Sequence, residues 1–306
     1  MIDNLWVNAN EGSFIEYSQH AQSAGLEIKL SAFTLDVISG NCIVRLAPRH
    51  QAYLYDVIND FNNYFFSVEP ISVDKFIVAD FSTPRFHNYK DFHLMPVYTP
   101  SLPEPVETSD DYLHFADLCQ GDVAIDLGGY CGLVSILLKE KVGPAGTVLT
   151  LEPDFLNASA AQINFELYKN LTNNQISLEK KAIWHHSDGT NFSCEGNMGS
   201  AASNLMGGSR GREMKVKTIT LGQLVQQNGM ERVDFIKCDV EGAECFIWDD
   251  KEFFDKFRPK IVIEPHLIDG KMTTEDCVSQ LKNYGYECKL APQTGVSAAP
   301  LIYCNA

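Results

Sequence analysis

Val123-Ala-Ile-Asp-Leu-Gly-Gly-Tyr-Cys-Gly132 decides how the chain is read. An apolar strand, Val123 to Leu127, runs into glycines at 128, 129 and 132 and then into an apolar helix, Leu133 to Lys141. Glycine tolerates positive φ and close backbone approach, so taken alone the stretch is a tight strand-to-helix turn. Its neighbours extend the pattern. Thr147 to Leu151 is a second strand, Asn157 to Lys169 a second helix, and Ile176 to Trp184 a third strand. Further strands are read at Val233–Val240, Ile261–Glu264, Tyr286–Leu290 and Leu301–Cys304, and helices at Leu221–Gln227, Glu244–Lys256 and Glu275–Tyr284. Alternation at these lengths predicts an α/β fold with a doubly wound, mostly parallel sheet. Only the last two strands lack a helix between them, which predicts an antiparallel closing hairpin. Residues 185–212 interrupt the rhythm with glycine, serine and asparagine, and are read as a functional loop or lid.

The second strand ends in Leu151-Glu152-Pro153, so an acid stands at its tip, 26 residues after Asp126. A carboxylate there suits the two hydroxyls of a ribose. A dinucleotide fingerprint would need glycine where Asp126 stands, and Asp126 would repel the pyrophosphate that such a loop seats. A nucleoside cofactor with cationic groups and no phosphate fits the charge better, and S-adenosylmethionine is such a molecule. Two alternatives stay open: an NAD-dependent oxidoreductase on a related sheet, and a non-catalytic binding module, because one fold hosts many functions.

The fourth strand carries Val233-Asp-Phe-Ile-Lys-Cys-Asp-Val-Glu-Gly-Ala-Glu244. Acids near a helix start favour the positive end of its dipole, which accounts for Glu244. Asp239 still belongs to an apolar strand and needs another reason. In an open doubly wound sheet, ligands bind at carboxyl ends where the strand order reverses, so residues 126–132 and 239–241 should face each other. Together, Ala124–Gly132, Leu151–Pro153, Val216–Leu221 and Phe235–Glu244 resemble the signature of FkbM-type S-adenosylmethionine-dependent methyltransferases, over about residues 105–266. The resemblance implies a class I methyltransferase, Rossmann-like fold: a seven-stranded sheet with its last strand antiparallel. It implies O-methylation of a sugar or natural-product hydroxyl. By position, it assigns the cofactor to Asp126, Gly128, Gly129, Gly132, Glu152 and Asp239, with Ala182 and Ile183 lining the adenine and Tyr112 covering the cofactor. The family usually has Ala-Asn after the first glycine where this chain has Gly129-Tyr130.

An aliphatic hydroxyl is a poor nucleophile, so O-methylation calls for a base or a metal besides in-line positioning. The catalytic candidates are Asp239, Glu241 and His266. Glu264 and His266 stand two apart in a strand-like run, which predicts that they share a face and meet Asp239 from the neighbouring strand. Asp239, Glu264 and His266 would then hold a divalent cation such as Mg²⁺. Without a metal, His266 is the expected base, its ordinary pKa being near 6.5.

The composition is that of a globular chain, 45% hydrophobic and 21% charged. Lys and Arg number 24 against 40 Asp and Glu, a formal −16, which argues against nucleic acid or an anionic membrane surface as the main partner. No secretion signal or membrane-spanning run is read, and the nine scattered cysteines suggest reduced thiols in a cytoplasmic protein. Prolines at 100, 103 and 105 mark a boundary between an N-terminal α+β region, 1–100, and a methyltransferase domain, 101–306. In the first region a helix is read at Tyr53–Phe66 and a strand at Lys75–Asp80; its aromatic residues fit a small core, a substrate platform or a homodimer interface.

Overall fold

The computed structural model describes residues 11–103, 106–205, 210–294 and 299–306. They divide into two compact units, one reaching Val106 and the other beginning at Glu107. The proline-rich boundary falls partly outside the described residues, at 104 and 105. Among the described residues no helix is long and apolar enough to cross a membrane.

The first unit holds a five-stranded sheet in the order Glu27–Leu30, Leu35–Ser39, Cys42–Leu46, Phe76–Phe81, Ile71–Val73, followed by a hairpin of Arg85–Tyr89 and Phe92–Thr99. Leu35, Val37, Val44, Leu46 and Phe81 form its interior. The expected helix over Tyr53–Phe66 is helical but broken, into the short α-helices Leu54–Asn59 and Asn63–Ser67 after a 3₁₀ segment, Pro48–Tyr53. Asp60, Asn62 and Asn63 compete with the helical ladder through their short polar side chains, and the chain breaks there. Its aromatics divide, Phe61 and Phe81 facing the interior while Tyr55, Phe66 and Phe86 are exposed.

The second unit is built on seven strands, numbered here in chain order: β1 Val123–Leu127, β2 Thr147–Leu151, β3 Ser177–Glu179, β4 Phe235–Cys238, β5 Lys260–Ile263, β6 Glu287–Ala291 and β7 Leu301–Asn305. Their order across the sheet is β3-β2-β1-β4-β5-β7-β6, and β7 runs antiparallel to both neighbours. This is the sheet that the resemblance implies. The inner strands read as continuous apolar runs because helices cover both faces. These are α1 Leu133–Val142, α2 Phe155–Thr172, α3 Leu221–Gln227, α4 Lys251–Lys256 and α5 Thr274–Lys282. Ile125, Leu149, Ile236, Ile261 and Ile302 share one core with Trp248 and Phe253.

Four expectations change. The third strand stops at Glu179; Ala182–Ile183 leaves the sheet and pairs with Thr218–Ile219. Glu244–Lys256 is a single 3₁₀ turn, Ala243–Cys245, and then α4, because the Glu244 carboxylate points inward and Asp250 caps a new helix by accepting from Phe253 N. Much of the region read as a loop is a three-stranded antiparallel sheet, Thr190–Cys194 between Ala201–Ala202 and Arg212–Val216, with 206–209 outside the described residues. Cys288 and Cys304 are not reduced thiols: they lie directly opposite on β6 and β7 and form a disulfide.

Candidate active site

The sheet order reverses between β1 and β4, so the loops after these strands open side by side. Gly128 and Gly129 both donate their N–H to Leu151 O, at 3.0 and 2.9 Å, which ties the glycine loop to the end of β2. Gly128 has φ +80°, and a Cβ there would overlap the carbonyl oxygen of Asp239. Gly132, at φ +85°, lies flat against the Phe165 ring of α2. The loop therefore presents bare backbone at the switch point.

Glu152 stands at the tip of β2, buried, and its carboxylate accepts from Tyr130 N and Asp154 N, each at 2.8 Å. Tyr130 thus serves through its backbone, in the left-handed region at φ +45°. Burial, with the Asp154 charge beside it, pushes the Glu152 carboxyl up to about 8. Asp154 caps α2 by accepting from Leu156 N at 2.8 Å, and its second oxygen accepts from Gly196 N and Ser200 Oγ at 2.9 and 2.7 Å. One carboxylate so fastens the inserted sheet beside Glu152. Within that insertion Arg210 is engaged by Glu195, at 3.0 Å.

Asp126 is fully buried, and its Oδ2 accepts from Ser135 Oγ at 2.5 Å, itself receiving Thr150 Oγ1 at 2.7 Å. Burial pushes the Asp126 carboxyl up, opposed by Lys237 and Ser135. Lys237 sits opposite Asp126 in the β1–β4 register and is 1% exposed. Its Nζ donates to Gly128 O at 2.7 Å and lies 3.4 Å from Asp126 Oδ1 and 3.3 Å from Asp239 Oδ2.

Beyond β4, Glu241 adopts φ +53° and Gly242 φ +103°, and this turn brings three side chains together. His266 Nε2 lies 3.5 Å from both Asp239 Oδ1 and Glu241 Oε1. Its Nδ1 faces Glu244 Oε1 at 3.1 Å. Glu244 is fully buried and also accepts from Gly242 N at 2.8 Å, His266 N at 3.0 Å and Thr273 Oγ1 at 2.7 Å. Burial alone would raise its pKa, but these donors and the imidazole hold it below the ordinary carboxylate value. For His266, burial favours the neutral ring, yet Glu241 and Glu244 outweigh it and raise the pKa well above 6.5. The carboxylates around the ring favour its charged form, unlike the isolated histidine that the sequence leads one to expect.

Among the described residues, Asp239, Glu241 and His266 are also spaced as a cation would need, their ligand atoms lying within 4.8 Å of one another. Glu264 is not part of that set. β5 ends at Ile263, so the shared strand face expected for Glu264 and His266 does not extend to them, and Glu264 Oε2 accepts from Tyr112 OH at 2.5 Å. Tyr112 is buried, its ring centroid 5.7 Å from Lys237 Nζ. Ala182 and Ile183 are buried on their separate two-stranded ladder. Sequence reasoning missed Lys237 and Glu244 as organisers. The signal for Lys237 was present, a lone cation inside the apolar run Phe235–Cys238; Glu244 had none, since helix-start acids are common.

Residues 126–288, just over half of the chain, match the model of the methyltransferase FkbM domain. No curated protein sequence matches the chain. Among solved structures, it is similar to the methyltransferase FkbM of Methylobacillus flagellatus KT, with a TM-score of 0.44 and 12% identity over 84% of this chain and 61% of that one. It is similar also to Aeropyrum pernix fibrillarin, solved with natively bound S-adenosyl-L-methionine, with a TM-score of 0.41 and 9% identity over 92% of this chain and 98% of that one. A third is the precorrin-6y C5,15-methyltransferase of Geobacter metallireducens GS-15, with a TM-score of 0.41 and 14% identity over 66% of this chain and 88% of that one.

Proposed function

The chain belongs to the methyltransferase FkbM family, and on that premise we propose that it transfers the methyl group of S-adenosylmethionine to a hydroxyl oxygen of a sugar or natural-product acceptor. The observation that carries this reading is the meeting, at one switch point, of a bare glycine loop with its ribose-type acid and a second group of acids beside an imidazole. The residues fit the cofactor: the loop has room only for backbone at Gly128, and the buried acid Glu152 is tied to that loop through Tyr130 N. Asp126 and the loop Gly128, Gly129 and Gly132 would hold its methionine end, with Glu152 on the ribose. When bound, the cofactor supplies an electrophilic methyl on a sulfonium.

The remaining work falls to side chains at the mouth. Asp239 and Glu241 each direct one oxygen at His266 Nε2 and are about one-quarter exposed, so an acceptor hydroxyl can reach them. As a hydroxyl oxygen bonds to carbon, its proton becomes strongly acidic, so a carboxylate suffices to take it. We assign that role to Asp239 or Glu241. His266, held by Glu244, keeps the two acids apart and oriented. A divalent cation such as Mg²⁺ at Asp239, Glu241 and His266 is a second reading, favoured by their spacing, with a neutral imidazole then donating Nε2.

Calorimetric titration with S-adenosylhomocysteine tests the first step, with saturable binding expected in the micromolar range; heat no greater than dilution at millimolar ligand overturns it. A melting curve with and without added Mg²⁺, after exhaustive chelation, checks the second reading: a stabilisation that Asp239→Asn abolishes supports it, and coincident curves remove it.

A further inference from the structure

A buried lysine in the middle of a sheet requires a reason, because desolvating an ammonium is expensive unless every proton is used. Lys237 uses its ammonium at the one point where β1 and β4 both end. It grips the first carbonyl of the glycine loop at 2.7 Å, and it stands within 3.4 Å of acids on both strands. The two acids differ in what else they face. Asp126 turns its other oxygen to Ser135 within the core, whereas Asp239 turns its other oxygen to His266 at the mouth. One cation therefore joins the loop assigned to the cofactor and the acid assigned to the acceptor.

We propose that Lys237 is a positioning residue for methyl transfer, fixing the Gly128 loop and the Asp239 carboxylate together and setting the local charge that a sulfonium meets. The inference rests on the methyltransferase reading above. Its physical content is electrostatic as well as geometric. Methyl transfer disperses the positive charge of a sulfonium, so a pocket that is too negative holds the ground state more tightly than the transition state. The ammonium moderates that attraction. S-adenosylmethionine and S-adenosylhomocysteine share a shape apart from the methyl, and differ by one positive charge. Removing Lys237 adds a unit of negative charge beneath both, which favours the cation over the neutral product. A role in packing alone would weaken the two ligands equally.

The test uses the full-length protein, with S-adenosylmethionine and S-adenosylhomocysteine titrated calorimetrically into wild type, Lys237→Met, Lys237→Gln and Lys237→Arg, and melting curves to confirm folding. In Lys237→Met the Kd for S-adenosylhomocysteine is expected to rise at least tenfold, and the ratio of its Kd to that of S-adenosylmethionine at least threefold. Lys237→Gln, whose amide still donates to Gly128 O, is expected to show the ratio change with a smaller loss of affinity. Lys237→Arg keeps the charge and is expected to hold the ratio within twofold of wild type. A ratio unchanged in both neutral variants overturns the inference, as does an equal change in Lys237→Arg or failure of all three variants to fold. A wild-type protein that binds neither ligand overturns the methyltransferase reading, and this inference with it.

Discussion

Glu152 is a buried acid whose ionisation the folded chain resists. Its carboxyl is pushed up to about 8 by burial and by Asp154. The sign follows from linkage. Below the unfolded value, near 4.3, the group is protonated in both states and costs nothing. As pH rises toward 8, the unfolded chain ionises freely while the folded one resists, so stability falls across that window. Glu152→Gln removes the titration; its melting temperature is expected to be flatter than wild type between pH 5 and 8.5 in scanning calorimetry, although the amide loses one of two acceptors for the Tyr130 and Asp154 N–H groups. At this scale the sequence was legible where chemistry and position coincide. Asp126, Glu152, Asp239, Glu241 and His266 all stand at strand ends of the same sheet edge. The raised pKa of His266 was not legible, because it depends on Glu241 and Glu244 converging through a turn at φ +53° and +103° that sequence spacing does not specify.

Among the elements, α2 carries more than its own cap. Asp154 satisfies Leu156 N at the helix start, and also Gly196 N and Ser200 Oγ of the inserted sheet. Losing an N-cap costs about 1 kcal/mol, and leaving buried partners unpaired adds about 1–3 kcal/mol. Asp154→Ala is therefore expected to lower stability by about 2–4 kcal/mol in urea titration, and to speed amide hydrogen exchange at Gly196 more than at Ile125 in β1. An effect confined to the first turn of α2 would show that the insertion is held by other means. The insertion was misread as a loop because its strands are short and rich in serine, asparagine and alanine, which carry little strand preference; their pairing is specified by partners up to 26 residues away, such as Thr190 with Val216. The seven main strands were readable because burial on both faces demands continuous apolar runs, and α3 was readable to the residue because Thr220 and Gln223 form a capping box.

Over the whole molecule, the boundary near residue 100 yields a direct prediction. The chain from Ser101 onward is expected to bind S-adenosylhomocysteine with a Kd within threefold of the full-length protein, as read by calorimetry. A soluble fragment that binds tenfold more weakly would assign the first region a share in the cofactor site. What remained largely illegible at this scale was the first unit, where short strands and broken helices lack any long period: the strand read at Lys75–Asp80 is found at Phe76–Phe81, and the other strands gave no signal. The sheet of the second unit has one further consequence, for its biosynthesis. β7 is made last of the seven strands, yet it lies between β5 and β6, which share no ladder with each other. Until β7 pairs with them, β5 and β6 each present an unpaired edge. A chain in which β7 has not yet docked therefore carries strand edges that chaperones can mask, and docking of β7, rather than formation of the glycine loop, closes the sheet.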